Sequence, residues 1–316
     1  MRRGDIAHLG LMLAALLLAY LLPFELVVLA YAVLGPAHYL TEISWLHDRG
    51  YYLPGRKAAL ALAFAALGAM FIASPYWYGV VVVTAFAACI VMTAKSRNAQ
   101  TLLTFGLTIL IAAMLLLGAP FGVLGALMPT LVHVSLFTLV FMILGAWRAG
   151  GRAQFGLVGA YLLAIVLIVA APPSEATRIP ALQGLAETSF SDIPKAIGAV
   201  LGQPDLNFDG RIAGLLSFVY TYHYLNWFIK AEVIRWADIP RRRLIGVALL
   251  SLAATGFYFV NYRLGFTVLL LLSLVHVLLE FPLNTLALRE LGGRIGGAFP
   301  RAAVPAPATP ARRRRR

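Results

Sequence analysis

The chain has 316 residues, 61% of them hydrophobic and only 12% charged, with a formal net charge of +13. A soluble domain carries about 25% charged residues, so half that share excludes a water-soluble globule and a disordered chain. The single cysteine, Cys89, excludes a disulfide scaffold. What remains is an all-α, polytopic integral membrane bundle. In such a protein the excess of Lys and Arg is a topology signal rather than a nucleic-acid footprint.

A helix needs roughly 20 mainly apolar residues to cross a bilayer. Ten runs of that kind are expected, at about 6–22, 24–46, 58–74, 76–94, 100–117, 121–146, 155–172, 212–229, 244–261 and 265–288. Turn-forming or charged residues punctuate them, such as Pro23, Asp48-Arg49-Gly50, Lys95-Ser96-Arg97 and Gly150-Gly151-Arg152. With the N-terminus in the cytoplasm, this alternation places all but four of the 26 basic residues on the cytoplasmic side; the four are Arg178, Lys195, Arg211 and Arg263. That bias predicts ten spans with both termini cytoplasmic, in a bacterial plasma (inner) membrane. Arg2 and Arg3 ahead of the first run resemble the start of a signal peptide. The run lacks a small-residue cleavage site and leads straight into a second span, so it is expected to be retained.

Residues 1–290 thus form one membrane domain. The polar stretch at about 173–211 is an extracytoplasmic loop, expected to hold short amphipathic pieces. Residues 291–316, rich in Pro, Ala and Arg, read as a disordered basic tail drawn to anionic membrane lipids. Within the loop, Asp205, Asn207, Asp209 and Gly210 match the first half of a calcium-binding EF-hand loop. Leu216 stands where the closing Glu is required. The segment is either a weak calcium site or a capped turn into the eighth span, with Asp209 near the helix start.

Ionisable side chains inside membrane helices are costly and tend to mark function. Here they are His38 and Glu42 on span 2, His133 on span 6, His223 on span 8, and His276 and Glu280 on span 10. All four spans are even-numbered and so run in one direction. At 1.5 Å rise per residue the four imidazoles fall in a band of roughly 5 Å near mid-bilayer. His38–Glu42 and His276–Glu280 each place a carboxylate one turn after a histidine on the same helix face. Neutral imidazole is the commonest metal ligand, and a neighbouring carboxylate serves as a further ligand or fixes the ring's tautomer. Four histidines with two carboxylates suit iron, with manganese, copper or zinc as other choices. The same residues also fit a metal-free proton path, a bis-histidine haem site or a structural network.

Weaker candidates surround this set. His8, His47 and Asp48 lie near the cytoplasmic surface, either extending the site or sitting at the interface. Asn226 and Asn284 follow His223 and Glu280 at helical spacing and can brace the site. Tyr220, Tyr222, Tyr224 and Trp227 either line an apolar substrate or simply pack. Lys230, Glu232, Arg235 and Trp236 read as a cytoplasmic interface anchor. The chain has no Walker A loop, GxSxG elbow, HExxH helix, HxxHH cluster or Asp-rich repeat, and no clear inverted repeat.

Intramembrane histidines on separate helices, with Pro36 two residues before His38, give the chain a resemblance to the bacterial Brp/Blh family. Those are polytopic carotene-cleaving dioxygenases that make retinal, with iron assigned to histidine ligands. The resemblance covers the arrangement of His38, His133, His223 and His276 and the Pro-x-His segment. Where the family has Pro-His-Gly, this chain has Gly-Pro-Ala-His-Tyr. It implies a membrane non-haem iron oxygenase. The expectation is an oxygenase or hydroxylase whose apolar lipid or isoprenoid substrate enters from the bilayer. His38, His133, His223 and His276 would hold the metal, and Glu42 and Glu280 would act as further ligands or bases. The alternative expectation is a proton-coupled transporter that uses the same residues as its proton path.

Overall fold

The computed structural model describes residues 3–49, 67–68, 128–176, 178–203, 205–230 and 238–296, and every regular element among them is helical. α1 (Arg3–Leu21) ends at Leu22, and Pro23 opens α2 (Pro23–Leu29) at its first position, where a missing N–H costs nothing. A π-helical turn at Ala30–Leu34 joins α2 to α3 (Gly35–Arg49), so the chain is helical without a break from Pro23 to Arg49. A second and longer π-helical stretch, Met128–Phe137, runs into α4 (Thr138–Ala149). Then follow α5 (Arg152–Ala170), α6 (Pro180–Phe190), α7 (Asp192–Leu201), α8 (Gly210–Ile229), α9 (Arg241–Val260) and α10 (Tyr262–Ile295).

Among the described residues, six stretches are long and apolar enough to cross a membrane: Gly4–Leu21, Pro23–Arg49, Val132–Ala149, Arg152–Ala170, Arg241–Val260 and Tyr262–Ile295. This is a multi-pass helical membrane protein. The expected spans at 58–74, 76–94 and 100–117 fall on or largely on residues outside the described set, as does the beginning of 121–146. The expected span 212–229 is helical as α8, although α8 is not among the six. It carries tyrosines, His223 and Asn226 along its length. It tolerates them because it is enclosed: α1, α2, α3, α5 and both π-helical stretches pack around it, and Leu216, Phe218, Val219, Tyr220 and Tyr222 are buried. A helix walled off from lipid needs partners for its polar groups, not an apolar surface.

The peripheral helices show the complementary pattern. Leu13 and Leu17 on α1, Leu163 and Val166 on α5, and Leu249, Leu250 and Leu252 on α9 are all more than half exposed, whereas Met12, Ala15, Tyr161, Ala164, Ala254 and Tyr258 on the same helices are buried. An apolar surface of this size is the surface a lipid chain wets.

Turn chemistry fixes the reversals. Gly150 ends α4 with φ 65°, a left-handed conformation that favours glycine, and its N–H reaches the Ala146 carbonyl at 3.0 Å. Asn261 caps α10, its side chain accepting from the Leu264 N–H at 3.2 Å. Gly265 lies so close to the Tyr258 backbone that a Cβ has no room, and this close approach sets the α9–α10 hairpin.

The two ends of the bundle differ. At one end Arg243 Nη1 meets both Asp48 carboxylate oxygens at 2.7 Å, and Glu290 binds Arg148 at 2.6 Å and Arg294 at 3.0 Å. At the other, α6 and α7 supply the short helices expected in the polar stretch. Glu25 holds the entry to α6, its Oε1 accepting from the N–H groups of Arg178 (2.7 Å) and Ile179 (3.0 Å). Asp209 caps α8 by accepting from the Ile212 N–H at 2.9 Å, and Leu216 is fully buried. The cap expected at Asp209 is thus present. One boundary needs correction: α10 runs to Ile295, so residues 291–295, expected in a disordered tail, are helical because the turn carrying Glu290 and Arg294 is tied by their ion pair. Residues 297–316 lie outside the described set.

Candidate metal centre

Helix rotation is what the sequence left open, and in the fold the rotations agree. α3 contributes His38 and Glu42, the π-helical stretch His133, α8 His223, and α10 His276 and Glu280. Five of the six are between 0% and 4% exposed, and His223 is partly exposed. The four imidazoles make a closed ring. Centroid separations are 4.8 Å for His38–His223, 5.2 Å for His223–His133, 4.8 Å for His133–His276 and 4.9 Å for His276–His38.

The polar atoms point at one another. His38 Nε2 lies 3.2 Å from Glu42 Oε2 and 3.2 Å from His223 Nε2. His276 Nε2 lies 3.0 Å from the same Glu42 oxygen, and His133 Nδ1 lies 3.1 Å from Glu280 Oε2. The last pair is close without forming a hydrogen bond: both nitrogens of His133 and Oε2 of Glu280 are buried with no hydrogen-bond partner among the described residues. The same holds for both amide atoms of Asn284. Unpaired buried polar groups cost about 1–3 kcal/mol each, more in a membrane interior where water cannot stand in. One His133 nitrogen, Glu280 Oε2 and Asn284 Oδ1 offer lone pairs that a cation would satisfy. Two groups of ligand atoms have the reach for an ion, His38/His133/His276 and Glu42/His276/Glu280, each with all ligand atoms within 4.8 Å of one another.

Residues around the ring orient it. Thr138 Oγ1 lies 2.7 Å from His223 Nδ1, which turns Nε2 of that ring toward the cluster. Trp227 Nε1 donates to Thr41 Oγ1 at 3.0 Å, and Thr41 in turn donates to the Ala37 carbonyl at 2.7 Å, tying α8 to α3 beside His38. The hydroxyls of Tyr39 and Tyr224 are 2.6 Å apart, and their rings face His276 and His38 at 4.9 Å and 5.0 Å.

The expected residues thus meet: all four histidines and both glutamates share one site. His47 and Asp48 do not join it; His47 is exposed and Asp48 is held by Arg243. His8, partly exposed on α1, stands apart as well. Asn284 is buried one turn beyond Glu280, and Asn226 is buried on α8. Tyr222 and Tyr220 face away from the ring, toward Tyr161 and Tyr31. Glu232, Arg235 and Trp236 lie outside the described residues. Sequence reasoning missed Thr138, Thr41 and Tyr39. Tyr39 was adjacent to His38 and detectable. Thr138 was not: five residues after His133, it falls on a shared face only if the intervening backbone is π-helical.

Fold and cluster together define a polytopic helical membrane protein with a buried four-histidine, two-carboxylate site. No family model, curated protein or solved structure matches the chain. The likeness to the Brp/Blh family therefore rests on the residues quoted for it alone.

Proposed function

We propose that the protein is an integral-membrane metalloenzyme, a non-haem iron oxygenase or hydroxylase acting on an apolar substrate drawn from the bilayer. The observation that carries this reading is the spacing of the donor atoms. Ligands at about 2.1 Å from one ion stand about 3.0–3.4 Å apart when neighbouring positions are at 90–110°. Glu42 Oε2 stands 3.2 Å from His38 Nε2 and 3.0 Å from His276 Nε2, and His38 Nε2 stands 3.2 Å from His223 Nε2, each neighbouring pair within that interval. Mixed imidazole and carboxylate donors favour iron or manganese over the thiolate-seeking metals. Bound iron would supply dioxygen activation. The protein's own part is to hold the His223 imidazole in one tautomer through Thr138. It also keeps water from the site with Tyr39, Tyr224 and Trp227, and surrounds the reacting region with apolar and aromatic groups suited to a hydrocarbon chain. In the expected topology the site lies near mid-bilayer, where such a substrate already resides.

Elemental analysis of the protein purified in mild detergent, with an absorption spectrum, tests the reading. Iron bound in stoichiometric amount and lost in both His223→Ala and His276→Ala supports it. Absence of any transition metal after anaerobic loading with Fe(II) sinks it. Metal-free protein showing pH-dependent uptake would favour proton-coupled transport through the same residues, and a Soret band would favour haem.

A further inference from the structure

One buried group beside the imidazole ring has no role in it. Asn284 is 1% exposed, and among the described residues neither its amide oxygen nor its amide nitrogen has a hydrogen-bond partner. It stands one turn beyond Glu280 on α10 and adjoins that carboxylate, whose Oε2 is likewise unpartnered. Side chains on a helix lean toward its N-terminus, so the amide leans toward Glu280 and the imidazoles. Its neighbours in the other direction give it nothing to bond. Ala287 and Leu291, three and seven residues on along the same face, share an apolar cluster with Val140 and Leu144 of α4.

A metal ion does not meet this need. Asn284 lies eight residues past His276, about 12 Å along the helix axis, out of reach of an ion held by His38, His133 and His276. An ion nearer Glu280 takes the Oδ1 lone pairs, but the two Nδ2 hydrogens still want an acceptor. Both atoms are satisfied only by a group that donates and accepts at once. A ketone or ether only accepts, and a hydrocarbon does neither. A carboxylate has no proton for Oδ1 and brings a charge into the membrane interior. A hydroxyl donates one hydrogen, accepts on its lone pairs and carries no charge.

We propose that Asn284 anchors the polar end of the substrate and that the substrate is a long-chain aliphatic alcohol, an inference that rests on the metalloenzyme reading above and names its substrate class. The hydroxyl donates to Asn284 Oδ1 and accepts from Nδ2, and the hydrocarbon runs toward the imidazoles. The rise between Asn284 and His276 then sets an interior carbon of the chain, not the hydroxyl-bearing one, at the ring. A site built to bond a hydroxyl rejects the analogue without one, because its own polar atoms are left unpaired.

The test is photolabelling of the full-length chain in lipid nanodiscs with hexadecanol carrying a mid-chain diazirine, with and without Fe(II), competed by plain hexadecanol or by hexadecane. The alcohol is expected to compete at least about tenfold better than the alkane, and Asn284→Leu is expected to erase that preference. The substitution removes a buried polar group that has no partner, so the variant should unfold at or above the melting temperature of the unaltered protein. Equal competition by alcohol and alkane in the unaltered chain overturns the proposal and leaves an ordered water as the partner of the amide. A preference undiminished in Asn284→Leu overturns it too, as does a melting temperature several degrees lower, which would reveal a structural bond. Iron is measured on the same samples. Alcohol preference without any bound iron supports the anchor and sinks the metalloenzyme reading, whereas bound iron without the preference does the reverse.

Discussion

Thr138→Val tests the proposed metal reading through a residue that is not itself a proposed ligand. The hydroxyl lies 2.7 Å from His223 Nδ1 and is 4% exposed, so water does not replace it once it is gone. Valine keeps the shape and removes the hydrogen bond, leaving the imidazole free to take either tautomer and to rotate. Partners of this kind contribute 10–100-fold to metal affinity, which is about 1.4–2.7 kcal/mol at 1.36 kcal/mol per decade. Fold stability should fall by only about 1 kcal/mol, the net value of an ordinary buried hydrogen bond. The assay is competition for Fe(II) or Co(II) against a chelator of known affinity, run beside thermal unfolding of the same samples. Thr255→Val is the matched control: Thr255 Oγ1 donates to the Ala32 carbonyl at 2.8 Å, outside the ring, so its loss should lower stability similarly without changing metal affinity. A Thr138→Val affinity within twofold of the unaltered protein, or a Thr255→Val loss as large, would refute the claim that Thr138 sets the His223 ring.

Asp209→Ala removes the cap of α8 and should cost about 1 kcal/mol in thermal unfolding; an unchanged midpoint would show the cap to be redundant. Gly265→Val places a branched side chain against the Tyr258 backbone, and the expected outcome is a large loss of folded, monodisperse protein, whereas normal yield would mean the hairpin has slack. Tyr39→Phe deletes the 2.6 Å hydroxyl contact to Tyr224 and should lower stability by about 1 kcal/mol while metal content stays near normal; loss of metal would reveal a direct role for the hydroxyl. Asp48→Asn breaks a partly exposed pair with Arg243 and should shift stability by less than about 1 kcal/mol, a prediction that a several-degree drop in melting temperature would contradict.

What the sequence revealed and what it hid follow from different physics. Burial in lipid demands long apolar runs, so α1, α5, α9 and α10 stand out from composition, and the HxxxE spacing of α3 and α10 declares its shared face directly. α8 was found as a span although its composition is too polar for a lipid-facing helix; the reason for that polarity, enclosure by its neighbours, exists only in three dimensions. The depth of the four histidines was readable by counting residues. Their convergence was not, because rotation about each axis is set by packing partners far away in sequence. His133 shows the limit most clearly. Its facing depends on a backbone that departs from the 3.6-residue period, and no pattern of apolar positions in 128–137 advertises that departure.

The π-helical stretch through His133 makes the site sensitive to arithmetic as well as chemistry. A π-helix holds one more residue per hydrogen-bonded ring than an α-helix, so it can be relieved by deleting a residue without altering any that remain. A deletion between His133 and Thr138 would therefore keep the two on one face, whereas an α-helix with the full count of residues would turn them by roughly a quarter of a turn relative to each other. In that α-helix the imidazole would move off Glu280 or the hydroxyl off His223, although every donor would still be present in the chain. An inventory of side chains would miss that failure. The winding of this segment is as much a part of the site as the histidines are, and single-residue deletions along 128–137 form a series of variants that substitution scanning cannot reproduce.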